Sequence, residues 1–317
     1  MPRATASIVI PSWNGAHHLR VCLPALRQQS ERSFELIVVD NGSSDDSEDV
    51  VRGEMPDAQF VKLSRNFGFA RACNEGILRA QGRHIALLNN DTEPEPGWLA
   101  ALVVRLDSDP TIGSVASKLL LFDRRQMIHS AGDFYRTDGV PGNRGVWQAD
   151  GPEYDEPAET FSACAGAAAY RREMLEQVGL FDEELVTYCE DVDLGFRAQL
   201  AGWRCVFEPG ARVYHRISAS GAGELASYYT GRNFLLVMAK NYPSSLLRRN
   251  LAHIFMAQLG FLGESLRHWR EPAARARVRG QLAGLAGIPR VMGKRRIGEQ
   301  LRRISDEDLL ARMSPAG

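Results

Sequence analysis

Short, apolar-rich runs recur along the early part of the chain, at Ser7–Ile10, Phe34–Val39, Gln59–Leu63 and His84–Leu88, and their Ile, Val and Leu content predicts buried strands. Between them the apolar positions switch to helical spacing. Leu19, Cys22, Leu23 and Leu26 share one face of a helix predicted over Leu19–Gln28, and similar segments cover Ser47–Arg52 and Ala70–Arg79. Strands alternating with helices predict an α/β fold around a largely parallel sheet.

A helix at Trp98–Leu106 and a strand at Ile112–Ser117 continue the pattern, which then gives way to a Gly- and Asp-bearing stretch, Asp123–Glu159, read as loop and hairpin. Next come a strand at Phe161–Tyr170, helices at Arg172–Val178 and Asp191–Ala201, and short strands at Cys205–Glu208 and Arg212–His215. There is no internal repeat. From Ser245 to Trp269 the residues Leu247, Leu251, Ile254, Phe255, Leu259, Leu262, Leu266 and Trp269 recur at steps of three and four, an amphipathic helix. Its uncharged middle, Asn250–Gly263, falls short of the roughly 20 apolar residues that span a bilayer. The helix therefore either docks on the preceding domain or lies in a membrane interface. The expected organisation is one catalytic domain over residues 1–240, divided near residue 118, followed by a helical, basic extension over 241–317.

Composition narrows the class. With 317 residues, 44% of them hydrophobic and 24% charged, the chain sits in the ordinary globular range. Net charge is −1, yet residues 267–303 carry eleven Lys and Arg against Glu271 and Glu299. That segment is either a solvated tail or an attraction to an anionic membrane surface or acceptor. An acidic remainder and the lack of a recognition motif speak against nucleic acid. The five cysteines are odd in number and form no C-x-x-C pair, which points to a reducing compartment. The first apolar run is too short for a signal-peptide core, so a cytoplasmic location is expected, with peripheral contact at the membrane.

In an open parallel sheet, ligands bind beyond the carboxyl ends of the strands. Those ends carry Pro11-Ser12-Trp13-Asn14-Gly15, Asp40-Asn41-Gly42, Ser64-Arg65-Asn66-Phe67-Gly68 and Asn89-Asn90-Asp91-Thr92. Asp40 either accepts the imide N–H of a pyrimidine or caps its own Asn-Gly turn. Asp91 is a hard oxygen ligand suited to Mg²⁺ or Mn²⁺, or part of a polar loop before a helix. Glu190-Asp191-Val192-Asp193 opens a helix, where acids are expected on dipole grounds, although one carboxylate facing a cleft could act as a general base. His215 ends a strand and offers a neutral imidazole to a metal. His17, His18, His84 and His129 show no paired ligand spacing and receive no role. Arg232 and Asn233 fit a helix surface as well as a site, and Trp203 fits core packing.

Taken in order, S-I-V-I-P-S-W-N, V-V-D-N-G-S-S-D, N-F-G-F-A-R-A-C-N, L-L-N-N-D-T, E-D-V-D-L-G-F-R-A-Q-L-A-G-W and V-Y-H resemble the family 2 glycosyltransferases of the GT-A fold, in their bacterial rhamnosyltransferase-like branch. The resemblance implies a Rossmann-like mixed sheet flanked by helices and an inverting transfer from a nucleoside-diphosphate sugar, dTDP- or UDP-linked, to a saccharide or lipid-linked acceptor. It further implies that Pro11, Asn14, Asp40, Asn66 and Asn90 border the nucleotide, that Asp91 and His215 hold a divalent metal, and that Asp191 is the base with Glu190 near the acceptor. The first acid of the usual D-x-D triplet is Asn89 here, leaving one carboxylate. A nucleotidylyltransferase would want a Gly-rich loop after the first strand, where this chain has a single glycine. A non-catalytic sugar-nucleotide-binding scaffold is the alternative from another class.

Overall fold

The computed structural model describes residues 4–216 and 223–317. Strand β1 (Ala6–Ser12) buries every residue, as a strand covered on both faces must. It pairs in parallel with β2 (Phe34–Asp40), which pairs with β3 (Gln59–Lys62), and on its other side with β4 (His84–Leu88). Helices α1 (Ala16–Arg27), α2 (Ser47–Glu54) and α3 (Phe69–Ile77) make the crossovers. The register sets Ser12 beside Asp40, so the four polar loops leave the sheet at one edge.

The chain continues through β5 (Thr92–Pro94), α4 (Trp98–Ser108), β6 (Ile112–Leu121), β7 (Arg124–Ser130), β8 (Asp133–Tyr135), β9 (Pro141–Asn143), β10 (Ala158–Thr160) and β11 (Ala167–Arg171). Helices α5 (Arg172–Val178) and α6 (Glu190–Leu200) precede β12 (Arg204–His215). The main sheet runs β10-β12-β6-β11-β4-β1-β2-β3, with β5 on β12 and β7 on β6, while β8 and β9 form a separate hairpin. Strand β11 is antiparallel to both of its neighbours, β4 and β6, so the sheet is mixed.

Two expectations change here. The strand expected over Phe161–Tyr170 survives only from Ala167, because the small residues before it turn across the edge of the sheet as irregular chain. The two short strands around residues 205–215 are one, β12, whose register slips between Glu208 and Arg212. Pro209 lies within that slip, and a proline has no N–H to give the ladder.

Beyond β12 lie α7 (Glu224–Asn241), α8 (Ser244–Arg267), α9 (Pro272–Met292), α10 (Arg295–Leu301) and α11 (Asp306–Ala311). Helices α7 and α9 touch backbone to backbone: a Cβ on Gly280 would stand 2.1 Å from the Tyr228 carbonyl oxygen, and one on Gly231 2.6 Å from that of Arg277. An apolar core shared by Tyr135, Phe161, Phe196, Leu236, Tyr242, Val291 and Leu309 joins these helices to the sheet domain. A buried ion network does the same, with Asp193 of α6 accepting from Arg197, Lys240 and Asn241. The acid at Asp193 is thus structural, and although burial pushes its carboxyl up, Lys240 and Arg197 together hold it far below the usual range.

Helix α8 carries two apolar faces. Leu246 and Ile254 enter the shared core, while Leu251, Phe255, Met256, Leu259 and Leu266 point outward. Among the described residues, no helix is long and apolar enough to cross a membrane.

Candidate active site

A cavity of about 1190 Å³ opens at the polar edge of the sheet. That exceeds the roughly 300–1,000 Å³ of a typical small-ligand pocket, leaving room for two ligands side by side. On one flank it is lined by Pro11, Trp13, Asn14, Asn41, Asn66 and Asn90, and on the other by Asp133, Trp147, Glu190 and Asp191, with Asp91 and His215 also in its wall.

The first flank is preset by hydrogen bonds among its own loops. Asn14, held at φ 48, accepts from the Ser44 amide at 2.9 Å. Asn66 accepts from Asn41 and from the Gly68 amide, at 3.0 and 2.8 Å, and Asn90 donates to Ser12 at 2.9 Å. Asp40 is buried and does not line the cavity; its carboxylate accepts the Ser43 amide at 3.2 and 3.3 Å, the local turn-capping arrangement. Its neighbour Asn41 faces the cavity, a residue the sequence did not single out.

Asp91 Oδ1 stands 3.1 Å from His215 Nε2, and both residues are buried. The antiparallel pairing of β5 with β12 brings them together, with His215 opposite Thr92. Behind His215, its Nδ1 meets Nδ1 of His129, on β7, at 3.0 Å. Loss of water around the His129 ring, and then its His215 neighbour, push its pKa down to about 3, so the ring is neutral. Nothing in the sequence linked these histidines, which lie on different strands 86 residues apart.

Among the described residues, no group of three or more His, Cys, Asp or Glu side chains has the geometry of a self-sufficient metal site. One carboxylate oxygen and one imidazole nitrogen converge at Asp91 and His215. This donor pair would suit a hard divalent cation that took its remaining ligands from a bound molecule, rather than a closed protein cage.

The third cluster is acidic. Asp191 Oδ2 accepts the Ala165 amide at 3.0 Å and Oδ1 its neighbour Val192's at 2.8 Å, orienting the carboxylate at the start of α6. Burial raises its pKa, opposed by those backbone donors. Glu190 is almost fully buried with Oε2 unpartnered, and burial followed by the Asp191 charge pushes its pKa well up. Asp133 lies close by, its carboxyl raised by burial and then by Asp191.

The loop that presents this pair is strained. Val186, Tyr188 and Cys189 adopt φ of 67, 63 and 67°, a region costly for non-glycine residues. Asn233, fully buried on α7, holds it there by donating Nδ2 to the carbonyls of Leu185, Thr187 and Tyr188 at 3.0, 3.0 and 2.7 Å. Arg232 donates to the Glu184 carbonyl beside it. These two residues clamp the loop rather than decorate a helix surface.

A mixed sheet with its parallel half ending in asparagine- and aspartate-bearing loops over a wide cavity defines the GT-A class of glycosyltransferases, and solved structures agree. The chain matches GalNAc-T7 with UDP, GalNAc and Mn²⁺ at a TM-score of 0.62 and 19% identity, over 75% of this chain and 48% of that one. It matches a mannosyltransferase from Pyrobaculum calidifontis, in complex with GDP-Man and Mn²⁺, at a TM-score of 0.57 and 18% identity, over 94% and 86%. Residues 7–179 match the family model described as glycosyl transferase family 2, and the chain belongs to that family. A relative of nearly equal extent is the N-acetylglucosaminyl-diphospho-decaprenol L-rhamnosyltransferase of Mycobacterium tuberculosis, 27% identical over 87% of this chain and 90% of its own length. Three curated relatives at 30–31% identity are longer proteins, of which the chain spans 25%, 17% and 42%.

Proposed function

We propose that the protein transfers a sugar, rhamnose in the first instance, from a pyrimidine nucleoside diphosphate to a hydroxyl of a glycan or lipid-linked acceptor. The observation that carries this reading is the opening of the Asp91–His215 pair and the Glu190–Asp191 pair onto one cavity with room for two ligands. The likeness to a rhamnosyltransferase supports the choice of sugar, and a neighbour with UDP supports the pyrimidine.

In this reading Pro11, Asn14, Asn66 and Asn90 border the nucleoside, with Asp40 holding the loop that carries Asn41. Asp191 takes the acceptor proton as the acceptor oxygen bonds to the anomeric carbon and the carbon–diphosphate bond breaks, inverting that centre. Glu190, its carboxyl pKa raised by burial and then by the Asp191 charge, borders the acceptor. Asp91 and His215 would hold a divalent cation, which would supply positive charge toward a leaving diphosphate. The outward face of α8, apolar at Leu251, Phe255, Met256 and Leu259 and preceded by Arg248 and Arg249, lies on an anionic membrane surface and brings the cavity to a lipid-linked acceptor.

Thermal unfolding with dTDP, UDP, GDP or ADP, with and without Mn²⁺, tests the donor assignment. The expected result is a rise with dTDP or UDP that grows when Mn²⁺ is present. A rise with GDP alone, or none with any nucleotide, removes the pyrimidine assignment.

A further inference from the structure

His215 has a contact at each ring nitrogen, and the two contacts constrain where its proton sits. Nε2 faces Asp91 Oδ1 at 3.1 Å, and Nδ1 faces His129 Nδ1 at 3.0 Å. The two rings tilt by 51° with centroids 4.8 Å apart, an edge contact between nitrogens rather than a stack. A contact between two imidazole nitrogens at this distance needs one proton between them. When His129 supplies it, His215 carries its own proton on Nε2 and donates to Asp91, closing that nitrogen to a cation. When a neutral His215 supplies it, His129 accepts at Nδ1 and keeps its proton on Nε2, and the His215 Nε2 lone pair faces Asp91 and, at 3.5 Å, the Asn89 amide nitrogen. Both arrangements hold the same number of protons, so passing between them changes no charge.

We propose that His129 is a positioning residue that selects the metal-competent tautomer of His215, by accepting the Nδ1 proton so that Nε2 and Asp91 can share one divalent cation. The inference rests on the reading of Asp91 and His215 as the cation's protein ligands. An outer-shell acceptor of this kind fixes the tautomer and the ring plane of a ligating histidine, and its loss typically costs 10–100-fold in metal affinity. The position is shaped for it. His129 sits on β7, between Ile128, which enters an apolar core, and the buried Ser130, and neither neighbour competes for the ring.

The test measures Mn²⁺ binding by electron paramagnetic resonance in the presence of saturating UDP, on the full chain and on His129→Leu and His129→Asn. The leucine variant lacks an acceptor, whereas the asparagine amide oxygen restores one near the original Nδ1. The expected result is Mn²⁺ affinity 10–100-fold weaker in His129→Leu, largely recovered in His129→Asn, with UDP binding in the absence of metal unchanged in both. Nitrogen-15 spectra of the imidazoles with Mg²⁺ and UDP should show His215 protonated on Nδ1 in the wild type. Equal Mn²⁺ affinity in all three proteins, equal weakening in both variants, or His215 protonated on Nε2 with Mg²⁺ bound would overturn the proposal. Wild-type protein that binds no Mn²⁺ with UDP or dTDP would overturn the ligand assignment together with it.

Discussion

At Asp191, burial and backbone hydrogen bonding pull in opposite directions, and burial wins: the carboxyl is raised above the usual range of about 3.9. A base must be ionised to act, so the acid limb of the kcat profile is expected to lie above that ordinary value. Asp191→Asn should keep UDP binding and lose roughly 10²- to 10⁴-fold in turnover, read in a transfer assay with binding measured separately. Unchanged turnover would move the base to another residue. Stability shifts the other way. A folded carboxyl with a raised pKa keeps its proton where the unfolded chain has released it, so its contribution falls as pH rises from the unfolded value through the folded one. The asparagine variant should therefore melt no lower than the wild type at pH 7. Asp191 and Glu190 were legible because they open a predicted helix within a motif that resembles the family's. His129 was not, because its partner lies 86 residues away and only strand pairing brings them together.

Helix α7 and its partner α9 connect the fold to the acidic cluster. Asn233 reaches the strained loop only because α7 lies close against the domain, and α9 presses it there through positions without side chains. Replacing Gly280 with leucine would drive a side chain into the Tyr228 carbonyl, 2.1 Å from the first atom added. Overpacking of this kind costs roughly 1–3 kcal/mol. The expected outcome is an unfolding free energy, from denaturant titration, lowered by that amount and turnover reduced more than nucleotide binding, since the loop before Glu190 loses its clamp. Turnover and binding falling in equal proportion would deny α7 that role. The strands and crossover helices of the first half were readable from apolar periodicity. The continuity of β12 through Pro209 and the irregular path of residues 161–166 were not, because both depend on which neighbour the chain meets.

For the molecule as a whole, the helices after β12 do two jobs at once. Their inner faces complete the third core, and the outer face of α8 leaves Leu251, Phe255, Met256, Leu259 and Leu266 exposed, preceded by Arg248 and Arg249. A surface this apolar, with cations beside it, is expected to bind vesicles containing anionic lipid and to release them as salt is raised. Phe255→Glu combined with Leu259→Glu should abolish co-sedimentation while leaving transfer to a soluble acceptor intact; binding that survives both changes would place the contact elsewhere. By itself the sequence determined the α/β order, the polar loops at the strand ends and the family, because apolar periodicity and short motifs are local properties of the chain. Tertiary structure alone decided that Asp91, His215 and His129 form one chain of contacts, that Asp40 turns to its own loop, and that Asn233 holds the loop before the acids. Each of these depends on distances between residues far apart in sequence, and such distances exist only once the sheet has closed its register.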